Sequence, residues 1–356
     1  MKICFNTVFI DGAYGGGMQF AHALKTYIEN QGGHVVNNLN DDDIDLILHI
    51  NPFPFLMKSS SFSFYDAYAY KMKKPDTVIV QRINECDERK GTRYMNDLLV
   101  RVAKYSDHII FISDWLEDLF VRHYEVMKKK TVGVLLNGAD AHIFNQKNRT
   151  QRGGNAKLKL ITHHWGAQHN KGHEVYKKID DLLEQKDFAD KFEFTYVGNY
   201  PKNLIYRNVR ILEPLSGLDL ADELKKHDIY ISASLNEPAG MHHVEGALCG
   251  LPLLYINSGA LPQYCNGYGI EFDESNVEEK MLQMHQEYDM WKEKMSGYNN
   301  TAERMAKQYY NLFEILVKNR NIDEVPREKK CLSMYFRLFS LMYSVYWLIK
   351  KRLYVR

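Results

Sequence analysis

The chain has 356 residues, 45% hydrophobic and 26% charged, enough apolar material for two buried cores and too much for a disordered tract. Its 46 Lys and Arg balance 45 Asp and Glu, so net charge gives no reason to expect nucleic acid as a partner. Cys4, Cys86, Cys249, Cys265 and Cys331 are odd in number, scattered and without a C-x-x-C, which points to a reducing, cytoplasmic setting.

The opening run Met1-Lys2-Ile3-Cys4-Phe5-Asn6 is short and interrupted by Asn6 and Asp11, so it reads as a first strand and not a signal peptide. Apolar runs then alternate with helical patterns, the rhythm of parallel α/β sheets. Strands are predicted over 3–9, 44–50, 77–80, 108–112 and 132–136, then over 158–163, 192–197, 209–212, 228–233 and 253–256. The polar, glycine-containing stretch 147–156 between these sets reads as a linker. It separates a domain over 1–146 from one over 157–326, with a tail over 327–356. Two Rossmann-like domains facing across a cleft are the expected architecture.

Gly12-Ala13-Tyr14-Gly15-Gly16-Gly17 follows the first strand and precedes a helical pattern over 18–30. Adjacent glycines let backbone approach a ligand and leave helix N–H groups facing the cleft; a tight structural turn is the other reading. The spacing is not G-x-G-x-x-G, so a dinucleotide fingerprint is not supported. Asp43-Ile44-Asp45 is formally a D-x-D, but it opens a strand after Asp41-Asp42 and reads as a solvated edge with no divalent ion. The run from Gln81 to Lys90 closes another strand and is too charged for a core. Within it, Arg82 can clamp an anionic group and Asn84 can hydrogen-bond a sugar hydroxyl. Glu85, Asp87, Glu88 and Arg89 fit a solvated loop with internal ion pairs equally well.

In the second half, Thr162-His163-His164-Trp165-Gly166-Ala167-Gln168-His169-Asn170-Lys171-Gly172 follows a strand, and Lys171 is a cation placed to meet an anionic group there. His169 and His173 have helical i, i+4 spacing, but no acidic or Cys partner is spaced to complete a metal site, so none is expected. Glu237 stands at the carboxyl end of the strand over 228–233. A small-residue helix bracketed by Pro238 and Gly250-Leu251-Pro252 then carries Glu245. The helix start at Gly240 and Met241 offers free N–H groups and a partial positive charge, where α/β proteins hold phosphates. At about 100° per residue, eight positions return near one helix face, so both carboxylates can look into one cleft and accept from sugar and ribose hydroxyls. Of His242 and His243, one is expected to face this cleft and the other to pack.

This segment resembles the E-x7-E signature of the retaining family-4 glycosyltransferases (glycosyl transferases group 1), which have the GT-B fold. Ile110-Phe111-Ile112-Ser113 with Asp114-Trp115-Leu116 is similar to the strand-and-Ser unit late in that family's first domain. Leu136-Asn137-Gly138-Ala139-Asp140 with Phe144 is similar to its crossover, Lys171-Gly172 to its phosphate-binding pair, and Pro252 with Ser258-Gly259-Ala260-Leu261-Pro262 to its Gly-x-Pro loop. The resemblance runs in order over about 1–272. It departs where the family places an Arg, here Gly166, and where many members have His, near Asn84.

The resemblance implies a hexosyl- or related transferase moving a sugar, with retention, from a nucleotide-sugar donor to a glycan or lipid-linked acceptor, in cell-surface polysaccharide or glycolipid synthesis. Glu237 would hold the donor sugar, Glu245 the ribose hydroxyls and Lys171 the diphosphate. Gly15, Gly16 and Gly17 would form the cleft floor, with Gly240, Met241 and His242 beside the donor and no metal required. A nucleotide-sugar epimerase and a catalytically silent sugar-binding protein are the competing readings.

A helix over 302–319 is expected to cross back over the domain junction. Beyond it, 331–349 carries one charge, Arg337, between Lys329-Lys330 and Lys350-Lys351-Arg352, with Ser333, Arg337, Ser340 and Ser344 forming a polar stripe on an aromatic-rich pattern. That reads as a helix lying in the interface of the inner face of a membrane, or else packed on protein.

Overall fold

The computed structural model describes residues 1–9, 16–51, 53, 59–150, 152–153, 156–320, 342, 345 and 346. The predicted tail over 327–356 lies almost wholly outside the described residues. Among these, the strands are β1 Lys2–Phe5, β2 His34–Val36, β3 Leu46–His49, β4 Val78–Ile83, β5 His108–Phe111, β6 Thr131–Val134, β7 Leu158–His164, β8 Phe192–Gly198, β9 Arg210–Leu212, β10 Ile229–Ser232, β11 Leu253–Ile256 and β12 Gly269–Phe272. They form two six-stranded sheets, ordered β2-β1-β3-β4-β5-β6 and β12-β11-β10-β7-β8-β9. Every pairing is parallel.

The central strands β3, β4, β5, β10 and β11 are buried at every residue because helices cover both faces, and their continuous apolar runs made them visible in the sequence. β2 and β12 were not predicted. Both are short edge strands, β2 with no buried residue and β12 opened by a glycine, so neither carries an apolar run. β1 stops at Phe5 instead of reaching residue 9 because Asn6 turns inward, its Oδ1 accepting from the N–H of Ile50 (2.7 Å) and of Asn51 (3.2 Å).

Strand order places the functional region. In the second sheet the direction of strand addition reverses between β7 and β10, opening a crevice beyond their carboxyl ends. His163 and His164 end β7, the turn to Lys171 follows it, and Glu237 follows β10. The first sheet reverses between β1 and β3, and its neighbour β4 ends in Arg82 and Ile83.

The chain crosses between the sheets twice, side by side. The N–H of Ala139 donates to Asn300 O (3.1 Å) and that of Ala302 to Ala139 O (2.8 Å). Thr301 caps the returning helix Ala302–Lys318 through its side chain. Met305, Ala306, Tyr309 and Phe313 of that helix bury against Phe20, Leu24 and Ile28 of the helix Gly16–Asn30, completing the core of the first sheet. The stretch read as a polar linker is anchored: Arg149 donates to the carbonyls of Gly250, His227 and Asp228. Among the described residues, no helix is long and apolar enough to cross a membrane, and Cys4, Cys86, Cys249 and Cys265 are buried free thiols.

Candidate active site

A cleft of about 530 Å³ lies between the carboxyl ends of the two sheets. Arg82, Asn84, Gly16 and Gly17 line it from the first domain, and Lys171, Glu237, Gly240, Met241, His242 and Glu245 from the second. Of the predicted site residues, Gly15 alone is missing from this wall, because it lies outside the described residues with the rest of the loop 10–15.

Two tight turns bring Lys171 and Glu237 together. Lys171 ends the short turn His169–Lys171 and is followed by Gly172 at φ 80°, where a Cβ would fall 2.2 Å from Ala233 O. Glu237 leaves β10 after Asn236, and its carbonyl accepts from Ala260 N–H at 2.9 Å. The supporting Gly259, at φ 60°, could carry no Cβ, which would lie 2.5 Å from Glu237 O. Within this frame Lys171 Nζ donates to Glu237 Oε2 at 2.6 Å, both side chains nearly out of solvent. Burial pushes the Glu237 carboxyl upward, but the Lys171 and Arg89 cations outweigh it and hold the group below its ordinary range.

Glu245 lies on the helix Met241–Leu248, its Oε2 2.8 Å from His163 Nε2, while His163 Nδ1 stands 3.1 Å from the Tyr230 hydroxyl. The expectation that both glutamates share a helix face needs correction. Glu237 precedes the helix and belongs to the strand-end turn; the two meet in one cleft because that turn and the helix flank the same crevice. His242 lines the cleft with Nε2 2.7 Å from Ser232 Oγ, and burial drops its pKa well below the ordinary imidazole value. His243 packs instead against Tyr264, ring centroids 5.3 Å apart, and burial pushes its pKa down to about 3.

The first-domain wall sorts a charged run that sequence left open. Arg82 is 1% exposed, with its guanidinium 3.9 Å above the Phe20 ring and Nη2 donating to Asn137 Oδ1 at 2.8 Å. Asn137 Nδ2 donates onward to Ala239 O at 3.3 Å, so Arg82 braces the crossover across the cleft. Asp87 is structural, its carboxylate accepting from the N–H groups of Tyr94, Met95 and Asn96, and Glu88 accepts from Asn96 Nδ2. Glu85 and Arg89 face the cleft, joined by Arg89 Nη1 donating to Glu85 Oε2 at 3.2 Å. Arg89 Nε lies 3.9 Å from Glu237 Oε1. It was absent from the predicted site; its only sequence signal is the i, i+4 spacing from Glu85 just past a strand end.

Gly16 opens the helix Gly16–Asn30 two residues earlier than expected and touches the other domain: a Cβ there would lie 2.8 Å from Met241 Cγ. The His169 and His173 pair does not form, since His169 is exposed beside Glu174 (3.2 Å) while His173 is buried, its pKa pushed to about 4 by desolvation. Asp43 and Asp45 hold Lys2, through Nζ at 2.6 Å and the backbone N–H at 2.8 Å. Among the described residues no group of three or more His, Cys, Asp and Glu could hold a metal ion.

No protein-family model matches the chain, and no curated protein matches it by sequence. Solved structures do. Sucrose-phosphate synthase from Thermosynechococcus elongatus superposes with a TM-score of 0.64 at 12% identity, over 89% of this chain and 99% of that one. HepE of Anabaena in complex with UDP gives 0.63 at 14% identity, over 89% and 100%. A glycosyltransferase from Rickettsia africae gives 0.59 at 14% identity, over 89% and 99%. The fold is GT-B. The likeness covers 89% of the chain, and the GT-B arrangement of two sheets accounts for the cleft in which Lys171, Glu237 and Glu245 meet.

Proposed function

We propose that the chain is a glycosyltransferase that moves a sugar, with retention of configuration, from a nucleotide-sugar donor to a hydroxyl of a glycan or lipid-linked acceptor. The observation that carries this reading is the buried Lys171–Glu237 pair at the switch point of the second sheet, in one cleft with Glu245. In the free protein each charge satisfies the other. A donor diphosphate would take the Lys171 ammonium and leave the Glu237 carboxylate to accept from sugar hydroxyls, with Glu245 and His163 on the ribose side.

In the transfer, the acceptor oxygen bonds to the anomeric carbon as the bond from that carbon to the phosphate oxygen breaks. The phosphate oxygen keeps the electron pair and takes the hydroxyl proton. Departure and attack on one face of the sugar agree with Asn84, which cannot act as a base, standing on the first-domain wall. Neighbour structures of Anabaena HepE hold UDP with glucose, and UDP-glucose, which makes uridine diphosphate sugars the first donors to test. Hexosyl transfer into cell-surface polysaccharide or glycolipid, without a divalent ion, completes the reading.

The basic, aromatic-rich sequence over 327–356 is proposed to hold the enzyme on the inner face of an anionic membrane, since basic residues near such a surface contribute about 1 kcal/mol each. Full-length protein should co-sediment with anionic liposomes in a salt-sensitive way, and protein lacking 328–356 should stay in the supernatant while still binding nucleotide. Equal behaviour of the two would remove the membrane role.

The deciding experiment incubates the protein with a panel of nucleotide sugars, with and without candidate glycan and lipid-linked acceptors, and measures nucleoside diphosphate release. Release that depends on acceptor is expected. Release or isomerisation equal in its absence would overturn transfer in favour of a hydrolase or epimerase.

A further inference from the structure

Resting on the nucleotide-sugar reading, we infer that Arg89 of the first domain is the second cation on the donor's sugar-bearing phosphate, shared with Lys171 of the second. Among the described residues lining the cleft, the permanent cations are Arg82, Arg89 and Lys171. Arg82 is engaged below the surface by Asn137 and Phe20. Arg89 and Lys171 instead converge on the two oxygens of one carboxylate, Lys171 on Glu237 Oε2 at 2.6 Å and Arg89 approaching Oε1 at 3.9 Å. Two cations from opposite walls closing on one anionic group form a clamp, and the phosphate next to a sugar held by Glu237 falls between them.

The arginine is built for this position. Glu85 Oε2 holds its Nη1 and also takes Lys90 Nζ at 3.4 Å, which fixes the guanidinium plane toward the cleft. Its side chain keeps 32% exposure against 10% for Lys171, so a ligand can reach it without displacing protein. Its carbonyl accepts from Asn170 Nδ2 at 2.6 Å, and Asn170 immediately precedes Lys171, so the two cations are tied through one backbone contact across the domains. A leaving phosphate gains charge during transfer, and a guanidinium fork meets it through paired donors where an ammonium meets it at a point.

The clamp predicts a discrimination. A nucleoside diphosphate reaches Arg89 through its terminal phosphate, and the monophosphate of the same base does not. Titration calorimetry of the full chain with UDP and UMP, and with other bases if uridine fails, measures both affinities in wild type, Arg89→Ala and Arg89→Lys. Arg89→Ala should weaken the diphosphate about tenfold and leave the monophosphate within about twofold, the scale of one charge-assisted contact. Arg89→Lys, which keeps charge but loses the fork, should fall between. Wild type that binds a diphosphate while Arg89→Ala binds it equally well, or loses diphosphate and monophosphate to the same extent, overturns the clamp and leaves the transferase reading standing. Wild type that binds no nucleoside diphosphate of any base overturns both.

Discussion

The two walls of the cleft are built differently. On the second-domain side, Lys171, Glu237, Glu245, His163, Ser232 and His242 are buried and joined in pairs at 2.6–2.8 Å, on turns and a helix fixed to β7 and β10. On the first-domain side Arg82 is buried, but Glu85 and Arg89 are partly exposed, and Arg89 rides on the four-residue helix Asp87–Lys90, none of whose residues is buried. A wall whose polar groups are already oriented can stabilise developing charge without reorganising. A wall of short, exposed elements can adapt to different acceptors and to the position of the other domain.

The largest effect should come from the rigid wall. Lys171→Ala and Glu237→Ala are each expected to lower turnover by about a hundredfold or more, the scale of losing one transition-state electrostatic contact. Each also strands a buried charge, so thermal unfolding should shift downward in both single variants and recover in the double, while activity stays lost. Wild-type turnover in either single variant would dissolve the distinction between the walls.

Next in size, Glu245→Ala should weaken nucleotide binding by about tenfold with turnover at saturating donor little changed, because Glu245 pairs with His163 and not with Lys171 or Glu237. A fall in turnover as large as that of Glu237→Ala would move Glu245 into the chemistry.

A smaller effect reads burial on both sides. His49 at the end of β3 and His243 are pushed down to about 3, and His173 to about 4, each chiefly by burial. Their folded pKa values lie below the unfolded value near 6.5, so the unfolded chain binds more protons between those limits. Stability should therefore be fully present above about pH 6.5 and be lost as pH falls toward about 3, measured as denaturant midpoints across that range. His243→Phe should flatten the slope; an unchanged slope would assign the loss elsewhere. The smallest expected effect is none: a chelator should leave transfer unchanged, and abolition rescued by a divalent ion would add a metal to the rigid wall.

What the sequence disclosed follows the same division. The central strands announce themselves because a strand covered on both faces must be apolar throughout, and Glu237 was readable as a strand-end carboxylate. Arg89 was not, because a run such as Glu85-Cys86-Asp87-Glu88-Arg89 looks alike whether its charges cap helices or face a ligand. Only the approach of the second domain separates Asp87, spent on backbone N–H groups, from Arg89, aimed at Glu237. The helical-periodicity argument for the two glutamates reached the right cleft by the wrong geometry, since periodicity says nothing about a turn that precedes the helix.

The returning helix Ala302–Lys318 also sets a timetable for the newborn chain. The strands of the first sheet are all made once Val134 has been added, yet the apolar face of Gly16–Asn30 must wait for Tyr309 and Phe313. At 5–20 residues per second that interval is roughly 10–40 s, during which the first domain is exposed and incomplete on the ribosome. The second domain has all its strands before the first is sealed, so the half made last is the half able to finish first.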